Sequence, residues 1–224
     1  MLQVCLNGAR AHSVPLTPDE LAVAARDAVA AGATDIHLHP KSSSGQDTLA
    51  APAVAAAVAA VRSAVAGVTI GVTTGAWTGS TVERAADIRM WTVLPDHASV
   101  NWHEDGAEQL AEALLARGVA VHAGIFSGTS GAARLRRSAL LARVSRILAE
   151  VVPPALDVGA LLASLAGLEP PVLLHGEDEA AWPVLRHAQA VGLDTRIGLE
   201  DTLTLPDGTP APDNAALVRA ALAS

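Results

Sequence analysis

The chain has 224 residues, half of them hydrophobic, and a formal net charge of −8. With one Phe and no Tyr it lacks the cationic clusters and stacking platforms that nucleic-acid binding needs. No apolar run reaches the roughly 18–20 residues of a membrane helix, the first residues do not form a signal peptide, and the lone Cys5 cannot make an internal disulfide, so a cytoplasmic protein free of membrane and nucleic acid is expected.

Short β-branched or apolar runs recur along the chain, at 2–8, 34–39, 68–74, 98–103, 119–126, 145–151, 171–175 and 194–200. Ala- and Leu-rich stretches with helical spacing separate them. The first opens at Thr17-Pro18-Asp19-Glu20, an N-cap with Pro at the first helical position and Glu three residues after the cap, and closes at Gly32. The others run near 48–66, 80–91, 106–117, 130–142, 157–166, 178–191 and 213–223, and several stop at a glycine: Gly67, Gly118, Gly167 and Gly192. Eightfold strand–helix alternation predicts an α/β protein, a closed (β/α)8 TIM barrel formed as a single compact domain over 1–224 with short loops. An open doubly wound sheet is the alternative, but no GxGxxG follows the first strand.

Barrel enzymes carry their chemistry at the C-terminal ends of the strands, and the polar residues of this chain fall there. Strand one leads to Asn7-Gly8-Ala9-Arg10. Strand two carries His37 and His39, which share one face because they are two apart. Strand three ends in Thr73-Thr74-Gly75, strand four carries Asn101 and His103, strand five His122, strand six Glu150 and strand seven His175. Strand eight reads Arg196-x-Gly198-x-Glu200-Asp201, with Arg196, Gly198 and Glu200 on one face. Two imidazoles and a carboxylate with an open fourth position form the ligand set of a catalytic zinc. The same residues also fit a core that merely accommodates two histidines and a carboxylate that caps the next helix. His12, His97 and His187 read as surface residues. The single lysine, Lys41, is the one residue through which a Schiff base could form, and its ordinary reading is a surface or ion-paired side chain.

Several stretches together, "NGAR", "PLTPDELA", "AGATDIHLHP", "TTGAWT", "PDHASVNW" and above all "RIGLEDTLTLPDGTPAPDNAALV", resemble the β-keto acid cleavage enzymes, of which this chain would be a short member. The resemblance runs from Leu6 to Val218 and implies a (β/α)8 barrel with Zn2+, or another divalent metal, on His37, His39 and Glu200. It implies a retro-Claisen acyl transfer in which a β-keto acid and acetyl-CoA give acetoacetate and an acyl-CoA. In that reading Asp201 is the base and Arg196 orients the neighbouring carboxylates. Thr73, Thr74 and Gly75 cradle the substrate carboxylate, and Asn101, His122, His175 and Arg10 line the substrate. A homotetramer is implied as well.

The chain departs from the family at Arg10, where an acidic residue is usual, at His122, where strand five has a glutamate, and at Lys41-Ser42, where Arg-Asp is usual. Ser127-Gly128-Thr129-Ser130-Gly131 with Arg134, Arg136 and Arg137 reads as a loop and a solvated helix face, with CoA phosphates as the alternative. Two other functions compete: a metal-dependent hydrolase with His37, His39, His122, His175 and Asp201 around one or two metals, and a non-catalytic CoA- or metabolite-binding barrel. On the strand pleat, Glu200 faces inward while Asp201 reaches the site over the rim.

Overall fold

A computed structural model of the protein describes residues 1–10, 13–154 and 156–224. Eight strands alternate with eight helices in the expected order. The strands are β1 (Leu2–Cys5), β2 (Asp35–Leu38), β3 (Thr69–Val72), β4 (His97–Asn101), β5 (Ala120–Phe126), β6 (Val144–Val151), β7 (Val172–Gly176) and β8 (Thr195–Ile197). The helices are α1 (Pro18–Ala30), α2 (Ala51–Ala64), α3 (Thr81–Met90), α4 (Ala107–Ala116), α5 (Gly131–Arg137), α6 (Val158–Leu165), α7 (Ala181–Ala190) and α8 (Asn214–Leu222). Neighbouring strands pair in parallel from β1 through β7, and β8 pairs with β1. A single parallel bridge between Leu173 and Asp194 closes the circle on the β7–β8 side. The arrangement is a nearly closed (β/α)8 barrel.

Local chemistry explains the elements. Thr17 and Glu20 form the reciprocal capping box at the start of α1, with Pro18 at its first position. The predicted helix over 130–142 is shorter: α5 stops at Arg137 and a 3-10 turn, Leu141–Arg143, leads into β6. Alternate strand residues such as Val4, Ile36, Ile70, Val100, Ala123, Ile147 and Leu174 face the helices and form the buried apolar layer.

The other strand face is unusual for such a barrel, whose lumen is ordinarily filled with Val, Ile and Leu. Gln3, Asp35, His37, His97, His122, His175 and Arg196 are all buried polar residues on strands. His97 therefore corrects the sequence reading. It is buried and stacked on His122, with ring centroids 4.0 Å apart. Gly71 on the paired strand makes this possible, because a Cβ there would stand 2.0 Å from the His97 ring. His187 is exposed as expected; His12 lies outside the described residues.

Strand eight is the element the sequence overstates, since β8 ends at Ile197. Gly198 lies so close to β1 that a Cβ would meet the Cys5 carbonyl at 1.9 Å. From there the backbone turns, with the Asp201 and Thr202 amides donating to the Gly198 carbonyl at 2.9 and 3.0 Å. Glu200 and Asp201 thus stand on a turn, and pleat alternation does not separate them.

Candidate active site

Two successive residues on that turn reach the same cation. Arg196 donates through Nη2 to Glu200 Oε1 at 3.0 Å and through Nε to Asp201 Oδ1 at 3.0 Å. A guanidinium fork suits two carboxylates at once. Asp201 is fully buried, so it does not reach over the rim as the pleat argument expected. Burial raises the Asp201 carboxyl against the pull of Arg196, and it comes to about 7. Burial also works to raise Glu200, but Arg196 and the two histidines override it and hold that carboxyl well below the usual range.

His37 and His39 face Glu200 from β2 and its C-terminal edge. His37 Nε2 is 3.9 Å from Glu200 Oε2, and His39 Nε2 is 3.6 Å from Glu200 Oε1. One ligand atom from each of the three residues lies within 4.8 Å of the others. Burial pulls His37 down to about 3, which keeps that ring neutral. His39 feels the same burial, but Glu200 and Asp47 outweigh it and lift it to about 9. Glu200 Oε2 is buried and has no hydrogen-bond partner. Such an orphaned acceptor beside two imidazole nitrogens fits a divalent ion.

The remaining expected residues fall into three groups. His175 is fully buried at the end of β7, its Nε2 3.7 Å from Glu150 Oε2 and its Nδ1 3.9 Å from Asp201 Oδ1. Neither ring nitrogen is hydrogen-bonded, and Asp201 Oδ2 is likewise unpartnered, so unsatisfied groups stand close together at this end of the lumen. Burial pulls the His175 ring well below its ordinary value and pushes the Glu150 carboxyl well above its own.

Thr73, Thr74 and Gly75 form a buried turn beyond β3. Thr74 donates its hydroxyl to the Ser99 carbonyl at 2.6 Å, and Thr73 Oγ1 accepts from the Gly75 amide at 3.2 Å. Arg84 and Glu104 brace this turn. Arg84 Nη1 donates to the Thr74 carbonyl at 2.6 Å and to Glu104 Oε2 at 2.7 Å, while Glu104 Oε1 accepts from the Ala76 amide and from Asn101 Nδ2. Arg10 stands at the rim, donating to the Glu200 carbonyl at 3.1 Å and pairing with Asp178 at 2.8 Å.

His122 lies elsewhere. It is the third residue of β5, packed on His97 in the half of the lumen formed by the strand N-termini. Arg134 and Arg136 are committed to carbonyls of neighbouring segments, Arg134 to His103 and Glu104 and Arg136 to Ser164 and Ala166. Lys41 takes its ion-paired reading: its buried amine donates to Asp47 Oδ1 at 2.5 Å and to the Gly8 carbonyl at 2.6 Å.

Sequence reasoning missed the contacts that hold the ligands. Asn7 clamps the His39 backbone, accepting from its amide at 2.8 Å and donating to its carbonyl at 2.9 Å. Asp47 accepts from His39 Nδ1 at 2.7 Å. A lone Asn and a loop Asp have no spacing signature, so only the fold could bring them to the site. The largest groove described, about 810 Å³, lies on the outer wall between α1 and 211–215 and does not contain the triad. Chemistry locates the site better than volume here.

A β-keto acid cleavage enzyme family model matches residues 1–145 and 153–224. The chain belongs to that family. No curated protein matches it in sequence. Among solved structures, ObcA with oxaloacetate is similar with a TM-score of 0.66 at 15% identity, over 92% of this chain and 62% of that one. ObcA in ternary complex with a C4-CoA adduct and oxalate gives 0.60 at 17% identity, over 92% and 62%. The 3-hexulose-6-phosphate synthase of Salmonella typhimurium gives 0.60 at 15% identity, over 98% and 95%. These likenesses concern the fold. This family member spans about three fifths of the length of ObcA.

Proposed function

We propose that the chain is a zinc-dependent β-keto acid cleavage enzyme that converts a β-keto acid and acetyl-CoA into acetoacetate and a new acyl-CoA. The observation that carries this reading is the convergence of His37, His39 and Glu200 beside Asp201, whose Oδ2 is buried without a partner. The titles of the ObcA structures, with oxaloacetate and a CoA adduct, support small keto acids and CoA thioesters as ligand classes.

A divalent ion held by His37, His39 and Glu200 would supply a Lewis acid for the substrate's keto oxygen. The chain's own residues do the rest. Arg196 keeps Asp201 Oδ1 engaged, which leaves Oδ2 as the atom that takes the substrate proton. A carboxyl raised to about 7 is well matched to that task near neutral pH. Thr73 and Gly75 hold the substrate carboxylate on a turn that Arg84 and Glu104 keep rigid. Asn101, His175 and Arg10 complete the polar wall, and His122 supports the lumen behind it. The hydrolase alternative lacks a second centre, because among the described residues the His37–His39–Glu200 group is the one cluster of three converging ligand side chains.

The test is a coupled screen of β-keto acids with acetyl-CoA, comparing zinc-loaded and metal-stripped protein. Acyl-CoA formation that depends on zinc supports the reading, whereas tight acyl-CoA binding without turnover of any β-keto acid favours the non-catalytic barrel. Asp201→Asn should lower kcat by about 10²–10⁴-fold and leave metal content unchanged. Light scattering reads the homotetramer that belongs to the same proposal.

A further inference from the structure

The segment after His39 folds back on the ligand that precedes it. Pro40 ends the strand, since it has no amide to donate, and Lys41 and Asp47 then form an antiparallel bridge that closes a short loop. The loop returns Asp47 to the ring of His39. Asp47 Oδ2 lies 2.7 Å from His39 Nδ1 and also 2.7 Å from the indole Nε1 of Trp77. Its other oxygen receives Lys41 Nζ. Both Asp47 and Lys41 have nearly fully buried side chains. Trp77 stacks on the His39 ring with centroids 5.9 Å apart and planes 19° apart, and its indole is about half exposed. Three elements therefore meet at one imidazole: the β2–α2 loop, the turn after β3 and, through Lys41 and the Gly8 carbonyl, the end of β1.

An ionised carboxylate only accepts hydrogen bonds. His39 Nδ1 therefore keeps a hydrogen, and Nε2, the nitrogen that faces Glu200, is the one left for an ion to bind. With donors from His39, Lys41 and Trp77, the carboxylate has no freedom to rotate away. Indole stacking then fixes the plane of the ring.

We propose that Asp47, locked by Lys41 and Trp77, is the positioning residue that sets the tautomer and orientation of His39 for metal capture. This rests on the metal reading above. It also assigns Lys41, the single lysine of the chain, to this latch and not to Schiff-base chemistry. Trp77 becomes the optical reporter of the centre, because Trp91, Trp102 and Trp182 are buried.

The test compares zinc affinity, by competition with a chromophoric chelator, for the wild type, Asp47→Asn, Trp77→Phe and His37→Ala, with folding followed by circular dichroism. Asp47→Asn is nearly isosteric and should weaken zinc by about 10–100-fold while one ion per chain still binds at saturation, as expected for a partner of a ligating histidine. Cobalt(II) substituted into Asp47→Asn should show a shifted visible band, which a merely structural residue would not cause. Trp77→Phe removes the indole donor but keeps an aromatic ring; it should weaken zinc by a smaller factor and abolish the metal-dependent change in emission. Wild-type affinity and an unshifted cobalt band in a folded Asp47→Asn would overturn the positioning role and leave the metal centre standing. A wild type that binds no metal would overturn both.

Discussion

The lumen holds two polar clusters of similar composition, and they differ in what is left over. At the strand N-termini, Asp35 is saturated: Thr69 and His97 engage Oδ1, and Gln3 donates to Oδ2 at 2.6 Å. At the C-terminal ends, Glu200 Oε2, Asp201 Oδ2 and both nitrogens of His175 have no partner. Each cluster buries carboxylate against histidine, so burial and residue type do not tell them apart. The carboxylate oxygens do: His97 Nδ1 and His122 Nδ1 in the lower cluster are also unpartnered, but both oxygens of Asp35 are engaged. A carboxylate saturated by protein donors helps specify the core, whereas an orphaned carboxylate oxygen points to an ion or substrate.

Removing one member of each cluster should break this comparison in opposite ways. The largest effect belongs to His37→Ala, which is expected to reduce bound zinc from one per chain to near zero and abolish turnover while the barrel stays folded. Metal analysis alongside a thermal melt checks it, and a full complement of zinc in the variant would remove the upper cluster from consideration. Asp35→Ala should do the reverse. It leaves His97, Gln3 and Thr69 without their shared acceptor, at a cost of about 3–5 kcal/mol in denaturant unfolding, and metal content should remain that of wild type.

The acid limb sharpens the point. Burial works to raise Asp35, but the bond to His97 and its other donors bring it down to about 2. A carboxyl depressed on folding stabilises above its unfolded value near 4 and loses that contribution as pH falls toward 2. Asp35→Asn should therefore flatten the fall in stability between about pH 4 and 2, measured by urea titration at each pH. Gly71→Ala is the smallest perturbation: its Cβ would crowd the His97 ring, at a cost of about 1–3 kcal/mol, with zinc binding retained.

Much of this was legible from residues alone. Eight alternations gave the barrel, and the HxH pair with the carboxylate near the last strand gave the triad, because spacing on strands survives folding. The roles of Glu200 and Asp201 on the pleat were not, since Gly198 ends β8 early and a turn replaces the alternation. His97 was misplaced because Gly71, opposite it in register on the neighbouring strand β3, opens the room that buries it. Asp47 and Trp77 were invisible for a related reason: their partners lie eight and thirty-eight residues distant, on His39, and no periodicity connects them.

The closure of the barrel has a kinetic consequence. Seven of the eight strand neighbours share ladders, but β7 and β8 are joined by one bridge, with the Leu174 amide donating to the Asp194 carbonyl and the Thr195 hydroxyl returning to the Leu174 carbonyl. Arg146 and the Met1 amine fasten Asp194 from the side. A seam with so few amides is the place where the cylinder unzips at lowest free energy, and its backbone hydrogens exchange with solvent ahead of those in the β4–β5–β6 wall. His175 and Arg196 stand on its two lips, so the breathing of this seam would set the clearance between the imidazole and the guanidinium of the proposed site.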